Sequence, residues 1–492
     1  MPTPFFPSWR SFLNPMGPRL HNGLQPLRQV TLCRIEQTLA AALPADLLEK
    51  PRSGAHSRDR IFSLTRTFWC WIWQIFQANT SCREVVRQLQ ALLGLLERPP
   101  IDEDCSAYCQ ARASLSLDLL DKAFGASAAS AQKKAPPSTL LQGRPIKFVD
   151  ASTLRLEDTP KNRAEFPPSA NQFSRPGFPT LKLLVLFGLA SGSVLARATA
   201  NLKVAETRLL LSLREHLQPG DILGGDRAYG LYVMLHWVSS LGADLLARLN
   251  ARSRRVDFRR AMKKLGPRDA LFLWHKPAVP SKLLSDQEWA QVPETMIVRV
   301  IAIRVQRSGF RTRHLTLVTT LLDPDIYPAV EILAAFLKRW RLEMCLDDLK
   351  TTLGMEQLKC RTPKLVHKEL LVFLTAHNLL RWIMVQAAQA GQVDLERISF
   401  TGTLDAFRQW SVALAQVRGP GKLSKQKRLW REFLRILAAD LVPERPGRQE
   451  PRAVKKRSKY PRLTKPRHAY VERWSRNKRR RAQRTKNQAQ LN

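Results

Sequence analysis

The sequence predicts an α/β protein: a mixed-sheet core interrupted by an inserted antiparallel β-subdomain, with a helical N-terminal domain before it and helices after it. Three observations predict this. Short apolar runs of β character alternate with helical segments between residues 145 and 249. A second set of alternating runs, MIVRVIAIRV and RHLTLVTTLL, falls within 251–324. Helical periodicity dominates 27–130 and everything from 328 to 441. The expected organisation is a loose arm at 1–26, a helical domain at 27–135, and a core formed by 136–250 with 325–390. The β-rich insertion occupies 251–324, C-terminal helices 391–443, and a basic disordered tail 444–492.

In chain order, the first 26 residues are rich in Pro, Gly and Asn and read as an arm. Ser81 stands before VVRQLQALLGLL as an N-cap, and Pro99-Pro100 closes that helix. A second helix from Ser106 to Phe124 carries Tyr108, Gln110 and Arg112. The pair reads either as a DNA-reading element or as a plain helical support. Residues 126–140, SAASAQKKAPPSTLL, have the composition of a linker. Pro145 to Asp150 is a short strand ending on a carboxylate, and Leu181–Leu189 with Ser193–Thr199 is a hairpin. A helix at 204–217 precedes Asp221 to Asp226, a second strand ending on a carboxylate. A helix at 230–240 and a buried strand from Ala243 to Leu249 follow. After the inserted strands, one long helix is expected from Pro328 to Leu353, then helices over 365–390 and 403–441.

Charge narrows the function. The 492 residues carry 80 Lys/Arg against 41 Asp/Glu, a net +39. Residues 445–492 hold 18 of the cations and 2 of the acids, which leaves +23 on the rest of the chain. A basic body as well as a basic tail is the electrostatic footprint of a polyanion binder. Seven cysteines without regular spacing exclude a disulfide scaffold, and Cys105 and Cys109 have no second pair to complete a structural zinc site. The apolar stretch Phe68–Phe76 is too short to span a bilayer, and the Pro- and Arg-containing start is unlike a signal peptide. A reducing cytoplasm is the expected compartment.

Asp150 and Asp226 each follow a buried strand and have small neighbours, Ala151 and Ser152 in one case, Gly224 and Gly225 in the other. Carboxylates on such a rigid platform suit a metal or a close phosphate, and equally suit a turn or helix cap. On the 328–353 helix, Phe336, Arg339 and Lys350 lie at −7, −4 and +7 from Glu343. At 3.6 residues per turn these share one face. A third carboxylate there would complete an oxygen site for Mg²⁺, with the cations gripping phosphate; taken by itself the helix reads as carrying a plain i,i+4 surface ion pair between Arg339 and Glu343. Asp347 is also one turn from Glu343. His377-Asn378 read as packing residues, since Mg²⁺ prefers oxygen, and Asp221, after Pro219-Gly220, reads as a turn residue.

The stretches FVDAST, GDRAYG and FLKRWRLEMCLDDLK together resemble the DDE transposases of bacterial insertion sequences, in particular the IS-four-type group with β-strands inserted between the second Asp and the Glu. That group's third motif, Tyr-x2-Arg-x3-Glu-x6-Lys, is kept at Arg339, Glu343 and Lys350, while Phe336 stands in the Tyr position. SCREVVRQL and SAYCQAR resemble the group's N-terminal helical region and ERPGRQEPRAVKKRSKYPRLTKPR its C-terminal end, so the resemblance spans roughly 27–468. It implies an RNase H-like core and a catalytic triad of Asp150, Asp226 and Glu343.

The implied chemistry is DNA cleavage at the ends of an insertion sequence, and strand transfer, by two Mg²⁺ (or Mn²⁺) ions. Asp150 would bridge both ions, with Asp226 and Glu343 completing one site each. Arg339 and Lys350 would hold DNA backbone. Arg227 and Tyr229 are further candidate DNA contacts or structural residues. Trp274 and Trp289 are candidates to stack on a flipped base, where stacking contributes ~1–3 kcal/mol, or core residues. The implied partners are double-stranded terminal repeats and target DNA, with a homodimer in the synaptic complex. The competing readings are a catalytically inactive DNA-binding relic and an RNase H-like nuclease.

Overall fold

The computed structural model describes residues 34–58, 60–95, 101–168, 177–250, 256–304, 314–416 and 422–443. The expected arm at 1–26 and the basic tail lie outside the described residues, as does Pro99-Pro100. Five helices come first: α1 (Arg34–Leu39), α2 (Leu64–Phe76), α3 (Cys82–Leu95), α4 (Ser106–Ser114) and α5 (Leu117–Lys134). Ser81 Oγ accepts from the Glu84 amide at 3.2 Å, the N-cap expected for α3. The expected 106–124 helix is two helices, because Leu115 leaves the helical region and Ser116 recaps the chain, accepting from Leu119 N. The Ala/Ser-rich segment expected as a linker is instead the second half of α5. Alanine is the strongest helix former, and Ser127, Ala128 and Ala131 are buried.

The core strands are β1 (Ile146–Leu156), then β2 (Thr180–Gly188) after a short helix α6 (Pro160–Glu165), and β3 (Val194–Asn201). A helix α7 (Glu206–Leu211) leads to β4 (Ile222–Gly225), and α8 (Tyr232–Ser240) leads to β5 (Asp244–Arg248). Their order in the sheet is β3-β2-β1-β4-β5. β1, β4 and β5 are parallel, and β2 is antiparallel to both neighbours. This is the RNase H-like mixed sheet. The insertion supplies β6 (Lys263–Gly266), β7 (Asp269–His275), a short helix α9 (Asp286–Gln291), β8 (Thr295–Arg304) and β9 (His314–Thr319). They do not stand apart: β9 pairs antiparallel with β5, so the same sheet runs on through β8, β7 and β6.

The strands alternate between two cores because helices cover both faces. Phe148, Leu154, Leu183 and Val185 join one core; Val149, Leu184 and Leu186 join the other. The chain returns through α10 (Ala329–Leu337) and α11 (Trp340–Asp347) to β10 (Gln357–Leu358), which pairs with β1. The central helix α12 (Pro363–Gly391) follows, then α13 (Phe400–Gln416) and α14 (Leu423–Ala439). Among the described residues α12 alone is long and apolar enough to cross a membrane, but 94% of its apolar window is buried, packed against α2, α5, α13 and α14.

The helical domain meets the core at a cluster of polar groups. Tyr108 and Arg112, which the sequence offered for DNA reading, are buried and bonded to Gln74. Arg112 lies 3.9 Å from the centre of the Trp71 ring and reaches Cys82 Sγ at 3.0 Å and Cys360 Sγ at 3.6 Å. The Cys109 thiol donating to Cys82, together with the Arg112 charge, pulls Cys82 down to about 5 against the cost of burial. Folded Cys82 therefore titrates below its unfolded value. Its contribution to stability is complete above the ordinary thiol range and is lost as pH falls toward 5. Iodoacetamide labelling of Cys82 is expected to change little between pH 6 and pH 8, whereas a thiol at ~8.5 would gain on the order of 70-fold in thiolate. Mass spectrometry of labelled peptides reads this directly, and Arg112→Ala should steepen the profile.

Candidate active site

Asp150 does not end its strand. β1 continues to Leu156 because β2 stays in register from Lys147↔Gly188 to Arg155↔Thr180. The parallel partner β4, however, stops pairing at Phe148↔Gly224. Asp150 is thus the first residue on that strand face beyond the end of β4, where the sheet opens. Its own Oδ1 accepts from the Ala151 amide at 2.9 Å. Asp226 follows the last residue of β4, and its Oδ1 accepts from the Ala228 amide at 2.7 Å, forming a tight turn. Gly224 and Gly225 are needed for packing rather than for ligand approach. A Cβ on Gly224 would lie 2.1 Å from the Phe148 ring, and one on Gly225 2.6 Å from the Tyr229 ring.

The third carboxylate arrives from the far end of the chain. The long helix expected from Pro328 to Leu353 is broken twice. At Lys338–Arg339 the hydrogen bonds tighten to i→i+3, separating α10 from α11. At Asp348–Thr352 the helix widens into a π turn, a device common at functional sites. Arg339 Nη2 nevertheless reaches Glu343 Oε1 at 3.0 Å, and Lys350 Nζ reaches Ser152 Oγ, on β1 two residues past Asp150, at 3.3 Å.

Electrostatics shows that these groups share one neighbourhood. Burial pushes the Asp150 carboxyl up to about 6, the Arg339 charge opposes that shift, and the charges of Asp226 and Glu343 add to it. A buried Asp150 that feels two further carboxylate charges against the opposing charge of Arg339 is under-neutralised. Hard oxygen donors of this number and charge fit a divalent cation that keeps water and substrate oxygens in its remaining positions. Beside them an open groove of ≈ 320 Å³ is lined by Ser152, Glu343, Leu346, Asp347, Lys350, Thr351 and Glu356. Asp347, one turn from Glu343, faces this groove and accepts from Thr351 Oγ1 at 2.7 Å.

Several expected DNA contacts are placed elsewhere. Phe336, at 6% exposure, is on the buried face of α10 with Ile332 and Ala335. Tyr229 is 1% exposed in the second core, its hydroxyl unpartnered and its pKa raised by burial. Trp274, at 5%, belongs to the same core. For Phe336 this is a correction, and for Tyr229 and Trp274 it is the structural alternative: large apolar rings beside a site are as easily its foundation as its surface. Trp289 is half-buried, with Lys276 Nζ 5.1 Å from its ring centre. Arg227 is exposed next to Asp226. Asp221 closes its turn by accepting from Gln218 N and also pairs with Lys147 at 2.5 Å. Sequence reasoning missed Trp340 and Met344, exposed at 58% and 47% on the helix that carries Glu343. Their signal was position, three residues before and one after Glu343.

Residues 141–379 match the family described as the transposase DDE domain, a span that contains Asp150, Asp226 and Glu343. Those residues are a transposase DDE domain. Over 419 residues it is 25% identical to the transposase InsG of insertion sequence element IS4 from Escherichia coli (strain K12), covering 82% of this chain and 88% of that protein. It is also similar to the piggyBac transposase in a synaptic complex with hairpin DNA, with a TM-score of 0.40 and 9% identity over 88% of this chain and 87% of the other. The span of that domain begins just before β1 and ends inside α12. It therefore takes in the whole ten-stranded sheet, inserted strands included.

Proposed function

We propose that this transposase cuts DNA at the ends of its insertion sequence and joins the freed 3′ ends to a target by cut-and-paste transposition. Asp150, Asp226 and Glu343 would hold two Mg²⁺ or Mn²⁺ ions. When bound, such ions activate a water or 3′-hydroxyl and stabilise the leaving oxygen of an in-line displacement. The observation that carries this reading is placement: Asp150 lies on β1 just past the end of β4, Asp226 follows that same strand end, and Glu343 comes from α11, whose chain is tied back to β1 by Lys350 on Ser152, so that the charges of Asp226 and Glu343 both act on Asp150.

The chain's own side chains supply positioning. Arg339 orients Glu343 and offers its remaining N–H groups to a phosphate. Lys350, tethered to Ser152 at the groove, adds a second phosphate contact. Arg227 extends the cationic lining beyond Asp226. The exposed Trp340 ring offers the stacking surface that Trp274 does not. The net +39 charge supports broad backbone contact, and joining two element ends favours a homodimer on DNA.

The direct test is cleavage of DNA flanking the gene, with Mg²⁺ or Mn²⁺, by wild type and by Glu343→Gln. Metal-dependent cuts at the terminal repeats, lost in the variant, support the reading. Salt-sensitive binding without cleavage by either protein would replace it with a DNA-binding relic. Lys350→Ala is expected to lower the slope of log K against log salt by about 1, the loss of one phosphate contact, uniformly across DNA sequences. Titrations at several salt concentrations would show it.

A further inference from the structure

On the reverse side of α11 lies a second cluster with different chemistry. Cys345, Asp348 and His377 bring a sulfur, a carboxylate oxygen and a ring nitrogen all within 4.8 Å of one another. Cys345 is two residues after Glu343, about 200° around the helix, so its side chain points away from the carboxylate triad. His377 is fully buried on α12, and among the described residues neither ring nitrogen has a partner in good hydrogen-bond geometry, the neighbouring Asn378 offering only a poorly aligned contact. Its ring is held by stacking on Phe400 at 5.3 Å and by the edge of Phe187 at 6.3 Å. An imidazole buried with two unmet nitrogens is costly unless something else occupies the site.

We propose that Cys345, Asp348 and His377 form a binding site for one zinc ion, which ties the active-site helix to the core. Thiolate, imidazole and carboxylate are zinc's ligands, whereas Mg²⁺ rejects sulfur and nitrogen, so the site is chemically distinct from the triad. Zinc bond lengths place ligand atoms roughly 3.5 Å apart, so small side-chain rotations close the present spacing. The Gly192 carbonyl, 3.6 Å from Cys345 Sγ, or a water completes the shell. The Arg381 guanidinium, bonded to the Ser191 carbonyl at 2.9 Å, adds positive charge nearby. Two anionic ligands, Cys345 and Asp348, offset that charge. The ion would join α11, the π turn and α12 behind Glu343, positioning that carboxylate without touching DNA.

The test is elemental analysis of full-length protein after incubation with ZnCl₂ and desalting. One zinc per chain is expected in wild type and in Glu343→Gln, with loss in Cys345→Ser and in His377→Ala. Cys360→Ser is the control that keeps it. Loading with Co²⁺ should give a thiolate-to-cobalt absorption band that disappears in Cys345→Ser, and chelation should lower Tm reversibly. Wild type without zinc and with a Tm indifferent to chelator, or Cys345→Ser with a full equivalent, would overturn the site. None of these three readouts involves DNA cleavage, so this proposal and the catalytic assignment fail separately.

Discussion

Asp150→Asn, Asp226→Asn and Glu343→Gln are each expected to abolish strand cleavage while leaving DNA binding in place. The loss should exceed the 10–100-fold that removal of a metal site's outer partner costs, because each variant removes a donor that would hold the metal itself. Asp150 should be the most severe. It is the carboxylate whose burial and neighbours push it up to about 6, so it depends most on a cation for neutralisation. Asparagine at 150 would also relieve like-charge repulsion, so its thermal stability is expected to equal or exceed wild type. That pattern, a dead enzyme that folds better, separates a functional cluster from a structural ion-pair network, in which the same change would destabilise. End-labelled cleavage assays, gel shifts and thermal melts on the three variants decide it. Full cleavage by any of them would remove that residue from the site.

The core strands were legible in chain order because near-continuous apolar runs mark strands buried on both faces, as in β2 and β5. The extent of β1 was not. The polar run Asp150-Ala151-Ser152-Thr153 looks like a strand end, yet it is polar because it lines the site, while β2 goes on pairing across it. The break at Lys338–Arg339 and the π turn were hidden for the same reason: local backbone adjustments that aim Arg339, Glu343 and Lys350 leave no mark on residue spacing. Spacing still found the right residues, because offsets of four and seven survive small changes of pitch. Aromatic residues were the poorest guide. Phe336 and Tyr229 sit within reach of the motif in sequence and inside the core in space, whereas Trp340, which the motif spacing passes over, is exposed.

Arg299→Ala is expected to destabilise the fold by about 3–5 kcal/mol, the cost of stranding one partner of a buried ion pair. Arg299 has no exposed surface, although it lies on an inserted strand. Its guanidinium makes a two-pronged contact with Asp269 on β7, at 2.8 and 2.5 Å, and donates to the Tyr327 carbonyl at 2.7 Å. Arg144 binds the same segment from the core side, through the Tyr327 hydroxyl at 2.9 Å and Asp244 at 2.7 Å. These two arginines therefore clamp the chain between β9 and α10, the segment that delivers Glu343 to Asp150. Arg299→Lys should recover little, since an ammonium cannot reproduce the two-pronged geometry. An Arg299→Met, Asp269→Leu double variant should recover most of the stability, because it leaves no unpaired charge in the core. Cleavage rate should recover less than stability, since the Tyr327 carbonyl loses its donor in both. Urea denaturation beside single-turnover cleavage separates the two effects. Equal recovery of both would mean that the insertion contributes stability alone, and that the approach of α11 is set from the α12 side.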